Sequence, residues 1–328
     1  MRGRPEGIGE PELGDALRTW GIDVASWTYE PVGFGDYHWT AADTRGRRWF
    51  VTVADLSHKS HCGAGADAAF EGLSRAMDTA LALRERAGRD FVVAPVPAVG
   101  GGTVHRVGAR YGVSVFPHAD GVAGRFGDRL GARERAAVLD TLALLHRTPP
   151  PQPTPRVRLA LPGRAALESA LAGLRDPWHG GPYAGRAREL TREHAAVLRR
   201  RLDEFDRRAG ALEGAGGERV VTHGEPHPGN LLRQGAGYAL VDWDTVGLAL
   251  PERDLWLVAT GPEDLDRYQD AAGRRPDPEA LALHGLRWRL ADVAAFLGDF
   301  RSPHAATPDS ALAWRSLAGT VRALAETG

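Results

Sequence analysis

His223-Gly224-Glu225-Pro226-His227-Pro228-Gly229-Asn230 lies between two short apolar runs, Val220-Val221 before it and Leu231-Leu232 after it. A glycine-bearing turn at residues 233–237 then leads to a second apolar run, Tyr238 to Val241, which stops at Asp242. This pattern predicts a strand, a polar loop and a tight hairpin whose far strand ends at an acid. The loop holds an acid, Glu225, and an amide, Asn230, within reach of a second acid, Asp242. An amide oxygen and a carboxylate are hard oxygen ligands that suit magnesium, and a further carboxylate suits a base that takes a proton from a hydroxyl. Together they describe phosphoryl transfer. The bland alternative is a hairpin whose polar residues only cap the loop.

At these residues the chain resembles the aminoglycoside phosphotransferase and choline-kinase group, which shares its fold with protein kinases. The group's pattern is His-Gly-Asp, four residues, Asn, then an Ile/Val-Asp-Trp segment. Here it stands as HGEPHPGN and Val241-Asp242-Trp243-Asp244, with Pro251-Glu252-Arg253-Asp254-Leu255 behind. The resemblance implies an α+β, bilobal protein-kinase-like fold. A small antiparallel-sheet lobe, residues 1–117, would bind nucleotide; a larger, mostly helical lobe, residues 118–328, would carry catalysis and the acceptor. Asn230 and Asp242 would hold Mg2+ on the phosphates of ATP or another nucleoside triphosphate, with Glu225 as base and His223 in the same catalytic motif.

The group's base is Asp, and this chain has Glu. The two acids differ by only about 0.4 pKa units in solution. Geometry matters more, because one extra methylene moves the carboxylate by roughly an ångström, and such a shift costs on the order of a hundredfold in rate unless the backbone or acceptor compensates.

Upstream, Val24 to Val32 reads as a strand leading into Gly33-Phe34-Gly35-Asp36-Tyr37-His38-Trp39, followed by strands over Tyr37 to Ala42 and Trp49 to Leu56. A hairpin bearing Gly33 and Gly35 is where a kinase lid would cover phosphates with backbone N–H groups. On the third strand, Phe50-Val51-Thr52-Val53, the lysine that grips phosphates in kinases is replaced by Thr52. Lys59, the only lysine in the chain, is the candidate substitute, against the plain reading of a solvated loop lysine. His58, His61 and Cys62 beside it could ligate zinc but lack an evident fourth ligand.

Ala66 to Arg86 reads as a helix, and Glu71 lies where the group's helix glutamate would fall. Phe91 to Val99, Val104 to Val107 and Tyr111 to Phe116 are expected to complete the sheet. Backbone groups around Val115 and Phe116 would meet adenine at the connector between lobes.

Composition sets limits. The chain has 328 residues, 43% of them hydrophobic, and a net charge of −1, so no global basic field draws it to nucleic acid or an anionic membrane. Cys62 is the single cysteine, which excludes an internal disulfide and fits a reducing cytosol. No run approaches the roughly 18 apolar residues of a membrane span. A cytoplasmic protein is expected; nothing in the sequence bears on oligomeric state.

Beyond residue 117, helices are expected over 131–147, 160–176 and 186–213, and Asp254 is expected to cap the next helix or brace the catalytic loop. Near the C-terminus Leu283, Leu286, Leu290, Val293, Leu297 and Phe300 form a core-facing stripe. Beside it run His284, Trp288 and Asp292. An acid and an aromatic there could meet a cationic sugar, or could be an ordinary half-exposed flank. The expected activity is ATP- and magnesium-dependent phosphorylation of a small-molecule hydroxyl, most similar to aminoglycoside or spectinomycin-type phosphotransferases, with antibiotic resistance as its consequence. Thr52 and Glu225 keep two rivals open: a non-catalytic kinase-like binding protein, and a kinase for a peptide or protein hydroxyl.

Overall fold

Alternating side chains build the first sheet. In the computed structural model, which describes residues 1–326 apart from Arg2 and Phe34, helix α1 (Glu10–Leu17) precedes β1 (Val24–Glu30), β2 (Asp36–Asp43) and β3 (Arg48–Asp55). Phe34 of the glycine hairpin thus lies outside the described residues. Helix α2 (Ala66–Glu85), β4 (His105–Val107) and β5 (Tyr111–Pro117) follow, and the antiparallel sheet has the order β1-β2-β3-β5-β4. Trp39, Ala41, Val51, Val53, Val113 and Val115 bury one face of it against Leu13, Leu17 and Trp20. Each such valine contributes about 1.5–3 kcal/mol relative to exposure. Register places His38 opposite Thr52 and Thr52 opposite Ser114, so alternation turns these residues, with Phe116, to the other face.

Phe91–Val99 is not a strand of this sheet. Pro95 and Pro97 have no N–H to give a ladder, and the remaining bonds scatter: Val93 N–H to Leu240 O, Val96 N–H to Val115 O, Val99 N–H to Thr19 O. The segment is extended, with one isolated bridge from Val92 to Leu240.

The chain passes residue 117 and continues in the same compact unit with β6 (Val122–Ala123) and α3 (Ala132–His146). Residues 159–217 then leave it as α4 (Arg164–Ala172), α5 (Ala184–Glu193) and α6 (Ala195–Ala215). It returns with β7 (Val220–Thr222), β8 (Leu231–Gln234), β9 (Gly237–Leu240), β10 (Gly247–Ala249), α7 (Glu252–Val258) and α8 (Pro262–Ala272). The expected hairpin is β8–β9, and β6 adds a third strand to it. The second unit, residues 159–217 with 278–328, is completed by α9 (Pro278–Arg301) and α10 (Pro308–Glu326). The expected stripe on α9 is buried in its core. The single helix expected over 186–213 is two, because His194 leaves helical angles (φ −103°, ψ 10°) while its ring Nδ1 lies 3.0 Å from the Leu190 carbonyl.

The loop after β3 lies directly on α2. A Cβ added at Gly72 would stand 2.0 Å from the Cys62 carbonyl oxygen. Gly72→Ala is therefore expected to push the 59–63 loop off the helix, at about 1–3 kcal/mol of overpacking. A lowered midpoint in urea unfolding checks this.

Candidate active site

The loop over residues 223–230 is held from behind. His223 N–H and Gly224 N–H both donate to the Asp254 carboxylate, at 2.8 and 2.6 Å. Asp254 is fully buried, with His146 Nε2 at 3.0 Å; the other His146 nitrogen lies 2.8 Å from the Tyr268 hydroxyl. Burial alone would raise its pKa, but the His146 hydrogen bond and charge, with Arg253, hold it below the usual carboxylate range. Of the two roles its sequence position allowed, Asp254 performs the brace.

Gly224 has φ +103°, and a Cβ there would stand 2.3 Å from the Arg253 guanidinium. Arg253 donates to Thr222 Oγ1 and to the Thr245 carbonyl, each at 2.8 Å. The glycine of the motif is required because a buried cation comes this close. The His223 ring is wholly buried and its pKa is lowered by that burial, so it is neutral. Its Nε2 donates to the Val241 carbonyl at 2.9 Å, and its Nδ1 accepts the Glu225 N–H at 3.3 Å. This ring ties the Glu225 loop to the Asp242 turn.

Glu225 is half-buried, and burial, then the Asp244 charge, raises its pKa against the opposing charges of His61, Arg253 and Lys59. A raised carboxylate is a better proton acceptor near neutral pH. Asn230, 7% exposed, donates Nδ2–H to the Glu225 carbonyl at 3.0 Å. That bond fixes the amide, and among the described residues no hydrogen bond reaches its Oδ1, the atom expected to serve as a ligand. Asp242 is the only non-glycine among the described residues with positive φ, +65°, a strained conformation of the kind that collects at functional sites.

Carboxylate oxygens of Asp36, Asp242 and Asp244 all lie within 4.8 Å of one another. With Asn230 Oδ1 nearby in sequence, this is an all-oxygen donor set that fits a hard divalent cation. Lys59 Nζ donates to Asp36 Oδ2 at 2.8 Å and to Asp244 Oδ2 at 2.5 Å, and His61 Nε2 lies 3.1 Å from the same Asp244 oxygen. Burial and the Asp244 charge raise the Asp242 pKa well above the usual range. Because Asp242 keeps a solvent-exposed edge, repulsion by its acidic neighbours is the firmer of the two causes. Burial would raise Asp244 too, yet Lys59 and His61 outweigh it and hold Asp244 far below the usual range.

Of the residues expected from sequence, the first unit brings together Glu225, His223, Asn230, Asp242 and Lys59. Gly33 (φ +70°) and Gly35 (φ +106°) form the turn before β2. Thr52 Oγ1 lies 3.2 Å from His38 Nδ1. Burial, aided by the N-terminal and Lys59 charges, lowers His38 to about 3, so this face presents a neutral pair where a strand lysine would present a cation. The Val115 side chain is packed in the α1 core and its carbonyl accepts the Val96 N–H at 2.8 Å, whereas Phe116 faces the other way. In the second unit, on α9, His284 is buried and Trp288 and Asp292 are half-buried. Asp36 and Asp244 were not among the expected site residues, the acid two residues after Asp242 and the acid after Gly35 being the available signals; His61, weighed in the sequence only as a zinc ligand, instead meets Asp244. Lys59 pairs with Asp36, while Glu71 is exposed.

His61 is protonated at neutral pH: burial would lower it, but the Asp244 carboxylate raises it to about 10 from 6.5. A raised histidine contributes stability that is complete below pH 6.5 and lost as the pH climbs through about 10. The melting-temperature advantage of the parent over His61→Ala, measured in metal-free buffer, is therefore expected to shrink across that interval.

The profile of the phosphotransferase enzyme family matches residues 33–284. Protein StrN of Streptomyces griseus is 32% identical over 253 residues, which span 74% of this chain and 75% of that protein. Spectinomycin phosphotransferase in complex with ADP and spectinomycin superposes with a TM-score of 0.71 at 15% identity, covering 98% of this chain and 100% of that one. Amicoumacin kinase in complex with AMP-PNP, Ca2+ and Ami does so with a TM-score of 0.57 at 14% identity, covering 95% and 92%. The antiparallel sheet followed by a mostly helical region, α+β and protein-kinase-like, together with the catalytic-loop motif and these matches, makes this chain a member of the phosphotransferase enzyme family.

Proposed function

We propose that the protein transfers the γ-phosphoryl group of ATP, with Mg2+, to a hydroxyl of an aminoglycoside- or spectinomycin-like small molecule. The observation that carries the reading is the chain's only lysine meeting Asp244, two residues from Asp242, and so restoring a cation that the third strand lacks. Residues 1–117 are assigned the nucleotide, with Gly33 and Gly35 over the phosphates, Phe116 toward the base and Thr52 beneath. Residues 118–328 are assigned catalysis and the acceptor, where Trp288 and Asp292 of α9 would meet a cationic ring by stacking and charge, backed by His284.

Glu225 accepts the proton of the acceptor hydroxyl as that oxygen bonds to the γ-phosphorus and the bond to the nucleoside diphosphate breaks. His223 holds the Glu225 backbone and is a positioning residue. Lys59 supplies positive charge to the phosphate oxygens. Asn230 and Asp242 would hold Mg2+, which when bound neutralises charge on those oxygens. No described helix is long and apolar enough to cross a membrane; the proposed place of action is the cytoplasm, where ATP is supplied.

Asp242→Ala is expected to abolish ATP-dependent transfer to a panel of aminoglycosides and spectinomycin. Glu225→Gln is expected to lower kcat by about 10²–10⁴ while leaving nucleotide binding, followed by thermal shift, intact. Parent protein that binds ATP with Mg2+ but transfers nothing to the panel or to peptide hydroxyls would make it a binding protein instead.

A further inference from the structure

Asp36 opens β2 directly after the glycine hairpin, and it is 7% exposed. One of its oxygens, Oδ2, accepts the Lys59 ammonium at 2.8 Å. The other, Oδ1, is buried and has no hydrogen-bond partner. A buried polar atom left unsatisfied costs about 1–3 kcal/mol, and more when the group is charged. This oxygen belongs to a carboxylate that already stands in the cluster with Asp242 and Asp244. An ion pair with Lys59 alone explains Oδ2 and leaves Oδ1 without a purpose.

The spacing suits a cation. Two oxygens on opposite sides of a magnesium ion stand about 4.2 Å apart, and about 4.6–5.2 Å apart around a calcium-sized ion. The separations here, at most 4.8 Å, reach the larger ion without rearrangement and the smaller one with a closure of about half an ångström. Lys59 Nζ already lies within hydrogen-bond distance of two of the three carboxylates.

We propose that Asp36 is a ligand of the divalent cation, shared with Asp242 and Asp244, and that the Lys59 ammonium stands in that place when no metal is bound. Binding of the cation then does two things to this chain's own residues. It ties the start of β2, and with it the glycine hairpin, to the Asp242 turn. It also releases Lys59 from Asp36 and Asp244, so that its charge becomes available to an anionic ligand. The proposal rests on the assignment of metal to Asp242, and it adds a ligand from a different part of the chain.

The test uses Mn2+ alone, titrated calorimetrically into the full-length, nucleotide-free protein and followed in parallel by thermal shift. Asp36→Asn is isosteric and is expected to weaken Mn2+ binding by about tenfold or more. Lys59→Met is expected to tighten it, because a competing cation has been removed; a side chain that only supported the fold would not change affinity in that direction. Asp242→Asn is the reference. If Asp242→Asn weakens Mn2+ binding and Asp36→Asn matches the parent, the proposal is wrong and the metal assignment stands. If Asp242→Asn has no effect, the metal assignment itself fails. Unchanged or weaker Mn2+ binding in Lys59→Met overturns the exchange of ammonium for metal, and because this variant is read by a gain, loss of fold cannot imitate the expected result.

Discussion

The arrangement depends on one buried ammonium. Lys59 donates to Asp36 and to Asp244, and each of these side chains is less than a tenth exposed. Taking such charges out of water costs several kcal/mol per ion, which their attraction offsets only with close geometry and further hydrogen bonds; removing one partner typically costs about 3–5 kcal/mol. Three stretches of chain meet on that nitrogen: the first residue of β2, the loop after β3 and the turn after β9. Lys59 therefore ties the start of β2 to the acidic turn through an ion pair. The loop that delivers Lys59 can lie so close because α2 presents Gly72 to it, with no side chain in the way.

A second set of buried polar groups does for the 223–230 loop what Lys59 does for the acids. Tyr268, His146 and Asp254 form a chain of hydrogen bonds that ends on two backbone N–H groups of the motif. His223 carries the linkage onward to the Val241 carbonyl. Satisfied networks of this kind are rigid, because any displacement leaves a buried polar group unpaired. The groups left to face a ligand, the Glu225 carboxylate, Asn230 Oδ1 and the acids at 242 and 244, thus project from a backbone fixed on its far side.

The departures from the family pattern share one electrostatic logic. Phosphoryl transfer needs positive charge near the phosphates, and the requirement is for a charge at a place in space rather than at a sequence position. Thr52 with a neutral His38 leaves the third strand without a cation, and the proposed substitute, Lys59, comes from the following loop. The partner carboxylate moves as well, from the helix, where Glu71 is exposed, to Asp36. Glu225, the proposed base, keeps the basicity of an aspartate with a longer reach, and its surroundings raise its affinity for a proton.

Much of this was legible in the order of residues because it is recorded at short range. The spacing from His223 to Asn230, the apolar runs that become β7, β8 and β9, and the three-four stripe on α9 are local patterns, since the hydrophobic effect sorts neighbouring residues by face whatever the rest of the chain does. Local patterns misled where the competing partner was distant or unusual: Phe91–Val99 has strand-like residues, but its prolines and scattered acceptors deny it a ladder, and His194 interrupts a helix by leaving helical angles. Only the tertiary structure decided the destinations of isolated charges. Lys59 and Asp244 are 185 positions apart, and nothing within either segment specifies the other. A lone charged side chain has no periodicity to betray its burial, so its partner is set by the closure of the fold, and that closure made an ordinary loop lysine the neighbour of Asp36 and Asp244.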